Sequence, residues 1–358
     1  MPKIPKAQLI SLSAVPGIGP RRVRSVLLKY PDIEDLLTLK RDDYHQIEGI
    51  SSELAAAVTN IDLDIGKKAM ESVSSMGGKY ISYWDEEYPP MLQMIYDAPV
   101  GIFVLGDIPT LTCIGIVGTR QPTIYGRKTT EKLTSELITA GFCIVSGFAR
   151  GIDTISHRKV IDQRGRTIAV LGCGVDVVYP AENKKLREPI LEQGAIISEY
   201  LPGAKPDAIN FPKRNRIISG LSKGVVVVEA GKKSGALITA MNALDQNREV
   251  FAVPGPVNSK KSFGTNTLIQ QGARLIMNID DILSEFHLEV QPAQVELLPQ
   301  LTKEEKKVYA SLSSEPVQID ELCNQLKMDT PEVLSILLSL ELKNLLEQHP
   351  GKLFSRIR

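Results

Sequence analysis

Between residues 112 and 285 the chain alternates short apolar runs with segments of helical spacing. The apolar runs are Cys113 to Val117, Ile144 to Ser146, Thr167 to Leu171, Ala195 to Ser198, Val225 to Glu229, Val250 to Val253 and Arg274 to Met277. Continuous apolar runs of this length predict strands covered on both faces. Helix-like segments fall between them at Tyr125 to Ala140, Glu182 to Gln193 and Leu237 to Gln246, each closed by a glycine or a polar break. The succession predicts a Rossmann-like, doubly wound α/β sheet that is mostly parallel, because strand-to-helix crossovers return each strand in the same direction. Residues 81–111, with Trp84, Tyr88-Pro89-Pro90 and Pro99, are expected to lead into this core and to add an edge strand.

The flanks follow other patterns. Residues 1–80 are helical in character, with apolar positions at helical spacing in Val23 to Leu28, Leu36 to Leu39 and Leu54 to Val58. Val15-Pro16-Gly17-Ile18-Gly19-Pro20-Arg21-Arg22-Val23 matches a helix-hairpin-helix, whose glycines let the turn approach a phosphate. Arg21, Arg22 and Arg24 favour a DNA contact there, and a merely compact helical turn is the competing account. Ile47-Glu48-Gly49-Ile50-Ser51 looks like a degraded second copy. Residues 288–300 read as a linker, and 301–358 as a winged helix of three helices and a hairpin. The expected division is therefore 1–80, 81–287, a linker at 288–300, and 301–358.

A chain of 358 residues has room for two or three domains. No stretch approaches the ~18 to 20 uncharged residues of a membrane span, so no membrane partner is expected. Met1 to Lys6 lacks the apolar core of a signal peptide, and Cys113, Cys143, Cys173 and Cys323 lack pairing or metal spacing. Buried, reduced thiols in a cytoplasmic protein are the expectation. Lysine plus arginine equals aspartate plus glutamate at 42 each, so any basic site must be local. Residues 211–233 hold six basic residues against one acid, Glu229, whereas 301–358 hold eight against nine. The winged helix is thus short of phosphate neutralisers, and a protein contact is expected of it ahead of DNA.

In an open parallel sheet the ligand site lies beyond the carboxyl ends of the strands. Four such ends carry unusual residues: Gly118-Thr119-Arg120, Ser146-Gly147-Phe148-Ala149-Arg150-Gly151-Ile152-Asp153, Gly172-Cys173-Gly174-Val175-Asp176, and Ser198 to Gly203 leading to Asn210-Phe211-Pro212. The amides after Gly118, with Arg120, can hold a phosphate. Arg150 between two glycines suits an anion, Asp153 either holds Arg150 or caps its helix, and His157 reads as structural. The three spaced glycines of a dinucleotide fingerprint are missing, which weighs against NAD or FAD. Phe211, Lys213, Arg214 and Arg216 offer one π-face and three cations, a composition suited to an unpaired nucleotide strand. Of Arg214 and Arg216, one is expected to line the crevice and the other to pair with an acid, with Arg214 and Lys213 favoured for phosphate.

These motifs, together with Asn210 to Ser222, Ser234 to Ala240 and Phe251-Ala252-Val253-Pro254-Gly255, resemble the DNA-processing protein A family, DprA or Smf. The resemblance implies a bacterial cytoplasmic protein, without enzymatic activity or cofactor, that binds and protects single-stranded DNA in natural transformation and helps load RecA for homologous recombination. It implies backbone contacts from Arg120, Lys213 and Arg214, base stacking by Phe211, and phosphate cradling by the Gly118, Ser146 and Gly147 loops. The same resemblance extends the DNA-binding set to Thr119, Arg150, Gly151, Asn210, Asn215, Lys232, Ser234 and Gly235, with no metal. A homodimer is implied as well. The family often has histidine where this chain has Asn210, which can still hydrogen-bond. The alternative is a nucleotide phosphoribohydrolase of the lysine-decarboxylase-like group, built on a similar sheet. There a Pro-Gly-Gly-x-Gly-Thr loop precedes a catalytic glutamate, whereas here Glu229 precedes a lysine-bearing loop.

Overall fold

A computed structural model describes residues 5–38, 43, 50–287, 301–313, 316–343 and 345–356. The chain folds as two compact units, Met1–Val290 and Gln291–Arg358. Residues 47–49 of the second hairpin copy and the 288–300 linker lie outside the described residues.

The larger unit is organised by one sheet. Its strands are β1 (Lys79–Ser82), β2 (Gly101–Gly106), β3 (Cys113–Val117), β4 (Cys143–Ser146), β5 (Arg166–Val170), β6 (Gly194–Ser198), β7 (Gly224–Val227), β8 (Glu249–Ala252) and β9 (Arg274–Leu275). Their order is β1-β2-β6-β5-β4-β3-β7-β8-β9. From β6 to β9 every pairing is parallel, and β2 joins β6 antiparallel, as β1 joins β2. The residues before β3 thus add two antiparallel strands. Chain order reverses at β3, whose neighbours are β4 and β7, and this switch point opens the crevice beyond the strand ends.

Both faces of the sheet are covered. Ile114, Ile116, Ile144, Val226 and Phe251 pack on one face beneath Leu133 and Leu137 of the Ile124–Thr139 helix. Val117, Val145, Val170, Val225 and Val227 pack on the other beneath Ile217, Ile218 and Leu221 of the Asn210–Leu221 helix. This double burial is why the runs carry no polar alternation. The amino-terminal helices share a core with the first face, where Leu9, Val23 and Leu27 cluster with Phe103, Leu105 and Ile196. Helices Lys6–Ser13 and Asp64–Ser75 approach so closely that a Cβ at Gly66 would lie 1.7 Å from the Ala7 carbonyl oxygen. Of the three hairpin arginines, Arg24 is tied down, donating to the carbonyls of Ala98 and Tyr96.

The smaller unit has helices Lys303–Ser311, Ile319–Leu326 and Thr330–Leu342, with a sheet of β10 (Val317–Gln318), β11 (Leu346–His349) and β12 (Leu353–Arg356) in the order β10-β12-β11. Thr302 and Glu305 form a capping box on the first of these helices, and Asp329 caps the third. Buried Glu305 also receives Lys343 Nζ at 2.6 Å and the Ser339 hydroxyl at 2.7 Å, joining the first helix to the third. This is a winged helix. Its third helix, in the position that reads DNA in helix-turn-helix proteins, has no lysine or arginine and exposes Leu338 and Leu342.

Among the described residues no helix is long and apolar enough to cross a membrane. Cys113, Cys143 and Cys173 are buried and free, and Cys323 is free and half-buried.

Phe251 has no exposed surface and meets Phe286 edge-on at 5.6 Å. Phe251→Ala is therefore expected to lower stability by about 3 to 5 kcal/mol in equilibrium urea unfolding.

Candidate nucleic-acid interface

The crevice beyond β3, β4 and β7 has a volume of about 1060 Å³. Its middle is built on the start of the Asn210–Leu221 helix. Phe211 and Arg214 are three residues apart and so share one side of that helix. Phe211 stacks on Tyr179 with centroids 5.5 Å apart and planes 29° from parallel. The exposed Arg120 guanidinium stands 5.8 Å from the centre of the Phe211 ring. Gly172 makes room for the ring, since a Cβ there would lie 2.9 Å from Phe211 Cδ1.

Arg214 is only 4% exposed. Its Nη1 donates to the Gly147 carbonyl at 2.5 Å and to the Val170 carbonyl, and its Nε donates to Asn215 Oδ1 at 3.2 Å. Nη2 has no hydrogen-bond partner among the described residues. Gly147 cannot carry a side chain, because a Cβ would lie 2.7 Å from the guanidinium. Burial lowers the Arg214 pKa to about 10, against the pull of Asp153. Arg216 turns the other way, into ion pairs with Glu199 at 2.5 Å and Asp97 at 3.1 Å. One arginine thus lies under the crevice and the other is paired with acids.

The loop after β4 is already filled by its own acid. Asp153 Oδ2 accepts from the amides of Gly147 at 3.0 Å and Ala149 at 3.3 Å, which settles its role as a holder of the loop rather than of Arg150. The Ser146 hydroxyl is buried and donates to the Ile116 carbonyl at 2.7 Å. Neither the Ser146 hydroxyl nor the Gly147 amide, both expected at a phosphate, is open to one here. Arg150 is exposed and paired with Glu182 at 2.5 Å. Gly151, at φ +79°, permits the turn into the next helix and passes against the Thr119 carbonyl, 2.3 Å from where its Cβ would be. His157 is buried and bonded to Thr167 Oγ1 at 2.9 Å, and burial drives its pKa down to about 3, so it is neutral.

On the opposite wall Glu229 is the organising acid. It is 3% exposed and receives both the amide and the hydroxyl of Thr123, the cap of the Ile124–Thr139 helix. The Thr119 amide donates to its carbonyl at 2.8 Å, which fixes the Gly118-Thr119-Arg120 turn. The lysine-bearing loop then exposes Lys232 and ends at Ser234, the cap of the Gly235–Asp245 helix, with the Gly235 carbonyl accepting from Asn215 Nδ2 at 3.2 Å. Asn210 begins the central helix, and its carbonyl accepts from the Tyr200 hydroxyl at 3.3 Å.

The structure brings Thr119, Arg120, Phe211, Arg214, Asn215, Lys232, Ser234 and Gly235 to one crevice, whereas Lys213 faces a separate groove. It also adds residues that sequence reasoning missed: Lys260 and Lys261 on the loop after β8, Phe263 at the start of the helix Phe263–Gln270 that follows it, and Tyr179 behind Phe211. Lys261 Nζ reaches Thr119 Oγ1 at 3.4 Å, and Lys232 Nζ lies 5.7 Å from the centre of the Phe263 ring. The loop is anchored by Ala230, whose amide donates to the Lys261 carbonyl at 2.8 Å. Two lysines and an aromatic just past a strand end were the available signal. Among the described residues no group of three or more histidine, cysteine, aspartate or glutamate side chains could hold a metal ion.

A Rossmann-like sheet with a cationic, aromatic crevice, joined in sequence to a winged helix, defines a class of DNA-processing proteins. The family model for DNA recombination-mediator protein A matches residues 79–287, and that for the DprA winged helix domain matches 291–352. The chain belongs to this DprA/Smf family. It is 41% identical over 266 residues to the DNA processing protein DprA of Bacillus subtilis, covering 73% of this chain and 90% of that one. It is 31% identical to the Smf protein of a Synechocystis species over 98% of both chains. Among solved structures, Streptococcus pneumoniae DprA superposes with a TM-score of 0.70 at 36% identity, over 79% of this chain and 98% of that one. DNA processing protein A of Helicobacter pylori, whose structure concerns its single-stranded DNA binding mode, gives 0.53 at 32% identity, over 58% of this chain and 95% of that one.

Burial pushes the Asp153 pKa up to about 6, against the opposing effects of Arg214 and the Ala149 and Gly147 amides. The folded protein thus takes up this proton as pH falls through about 6, whereas the unfolded chain does so near ~3.9. Between these limits falling pH favours the folded state, by about 3 kcal/mol in all, and rising pH removes that gain. Urea unfolding from pH 7 down to pH 4 is expected to show this trend in the native chain and to lose it in Asp153→Asn.

Proposed function

We propose that this chain binds single-stranded DNA along the crevice, protects the bound strand and helps load RecA onto it, in natural transformation and homologous recombination. The observation that carries this is the stack of Arg120, Phe211 and Tyr179 in a crevice whose walls hold Lys232, Lys260 and Lys261. A base can lie against the Phe211 ring while its flanking phosphates meet cations, which any nucleotide sequence satisfies. A paired base hides its faces in the duplex stack, so the single strand is favoured. The Helicobacter pylori relative, described by its single-stranded DNA binding mode, supports the same ligand. RecA as partner, and a homodimer as the working assembly, rest on membership of the family.

In this proposal the expected site residues divide by role. Arg120, Lys232, Lys260 and Lys261 neutralise phosphates, with Arg214 Nη2 approaching from beneath. Thr119, Asn215, Ser234 and Gly235 line the path. Ser146, Gly147 and Gly151 shape the floor, Asn210 starts the helix that carries Phe211, and exposed Arg150 stands at the margin. The winged helix, with leucines in place of cations on its third helix, takes a protein partner. The phosphoribohydrolase alternative needs a free acid at the strand end, and Glu229 is occupied by Thr123.

Fluorescence anisotropy with single- and double-stranded oligonucleotides across a salt series tests the proposal. Tight, salt-sensitive preference for the single strand is expected, and no preference would sink it. Arg120→Ala and Lys261→Ala should each flatten the dependence of log affinity on log salt by ~0.7. Phe211→Ala should weaken single-strand binding by about 1 to 3 kcal/mol at fixed salt. An unchanged affinity would remove the ring from the site.

A further inference from the structure

A second groove, of about 1120 Å³, opens beside the crevice at the start of the Asn210–Leu221 helix. Its walls come from residues 18–25 of the helical segment, residues 96–101 before and at the start of β2, and residues 212–216. Pro212 lines both groove and crevice, so the two adjoin at that residue. Successive helical residues turn by ~100°, which sends Phe211 and Lys213 to opposite sides of the helix start. Phe211 lines the crevice and Lys213 the groove.

The groove has the chemistry of a polyanion path. Its lining holds Arg21, Arg22, Lys213 and Arg216 against Asp97, Glu199 and Asp245. Arg216 holds Asp97 and Glu199. Arg21, Arg22 and Lys213 are exposed and have no ion pair among the described residues. At the mouth the Arg21 guanidinium lies 3.8 Å from the centre of the Tyr96 ring, and that tyrosine is 70% exposed. The pair offers a flat surface to a base and a charge to its phosphate. The hairpin beside it is open, since a Cβ at Gly17 or Gly19 would meet nothing within 4 Å.

We propose that this groove carries the continuation of the bound strand: single-stranded DNA leaving the crevice past Phe211 crosses Pro212 and runs between Lys213 and the Arg21-Arg22 wall. The inference rests on the single-strand function proposed above and assigns the helix-hairpin-helix its role. Continuity with the crevice and the exposed cations favour nucleic acid over a peptide as occupant. The amino-terminal helices then lengthen the bound segment rather than form an independent site.

The test uses the full chain and oligothymidylates of about 6 and about 20 nucleotides, one near the lower end and one beyond the upper end of the ~4 to 16 nucleotides that single-strand sites span. The variants are Arg21→Gln with Arg22→Gln, and Arg21→Gln alone, which keeps the bond from Arg22 to the Gly17 carbonyl. Binding of the short strand should be unchanged. Binding of the long strand should weaken, with its log-log salt slope reduced by ~0.7 for each lost contact. Unchanged long-strand binding would overturn the inference and leave the groove to a protein partner. Equal weakening at both lengths would also overturn it, since the groove would not be a separate segment of the path. If the unaltered chain binds neither length, the proposed function itself fails.

Discussion

The buried guanidinium of Arg214 is the interaction on which the crevice depends. Parallel strands end in carbonyl groups that need donors, and at the ends of β4 and β5 Arg214 Nη1 supplies them by bonding to Gly147 and Val170. One side chain therefore sews two strand ends to the first turn of the helix that crosses the sheet. A buried cation needs a counter-charge, and Asp153 answers it from the first turn of the helix Ile152–Asp162 while occupying the Gly147 and Ala149 amides. Removing either partner would leave the other buried without its counter-charge. The position of Phe211 follows, because a ring one helical turn before an anchored arginine has little freedom beyond the space left over Gly172.

Glu229 plays the corresponding part on the opposite wall. Its carboxylate caps the helix after β3 through Thr123, its carbonyl holds the Thr119 amide, and Gly126 is bare because a Cβ would lie 2.3 Å from Glu229 Oε2. The next residue, Ala230, ties down the loop carrying Lys260 and Lys261, which leads into the helix begun by Phe263. The charges thus divide in two. Buried ones, Arg214, Asp153 and Glu229, hold the backbone. Exposed ones, Arg120, Lys232 and Lys260, with half-buried Lys261, are left for a ligand. This division explains how a chain with no net charge keeps a cationic crevice: its acids near the site are turned inward and consumed by backbone donors.

That division also marks how far the sequence could be read. The parallel strands were legible because double burial removes polar residues from them, and every predicted run from Cys113 to Arg274 contains or overlaps an observed strand. The strand ends were legible through their glycines. Less legible was which hydrogen-bonding group would remain open, since Ser146 and Gly147 look like phosphate ligands until their partners are known. Arg214 and Arg216 were separable in principle by the turn of a helix, but only the fold places Glu199 and Asp97 beside one of them. The loop at residues 256–263 reaches the site from the far side of β7, so no local pattern connected it to Phe211. The antiparallel extension was half seen, because an edge strand was expected within residues 81–111, whereas Lys79–Ser82 falls across the boundary expected at residue 80.

The helical segment gives the hairpin a meaning that its motif alone could not. Of the cations around its turn, Arg24 is bound to the 96–98 loop and Arg21 lies on Tyr96, while Arg21 and Arg22 stay exposed toward the groove. The same contacts that remove Arg24 from a ligand fasten the hairpin to the approach to β2, within one continuous core. The hairpin is therefore held against the sheet-bearing unit, with Lys213 across a groove from it. Whatever enters the crevice meets that groove one residue past Phe211, because the helix start separates the two by the width of a proline. For a flexible polyanion this makes crevice and groove one surface, with the wall beneath the crevice held by the bonds of Arg214 to the Gly147 and Val170 carbonyls and that beneath the groove by the ion pair of Arg216 with Glu199.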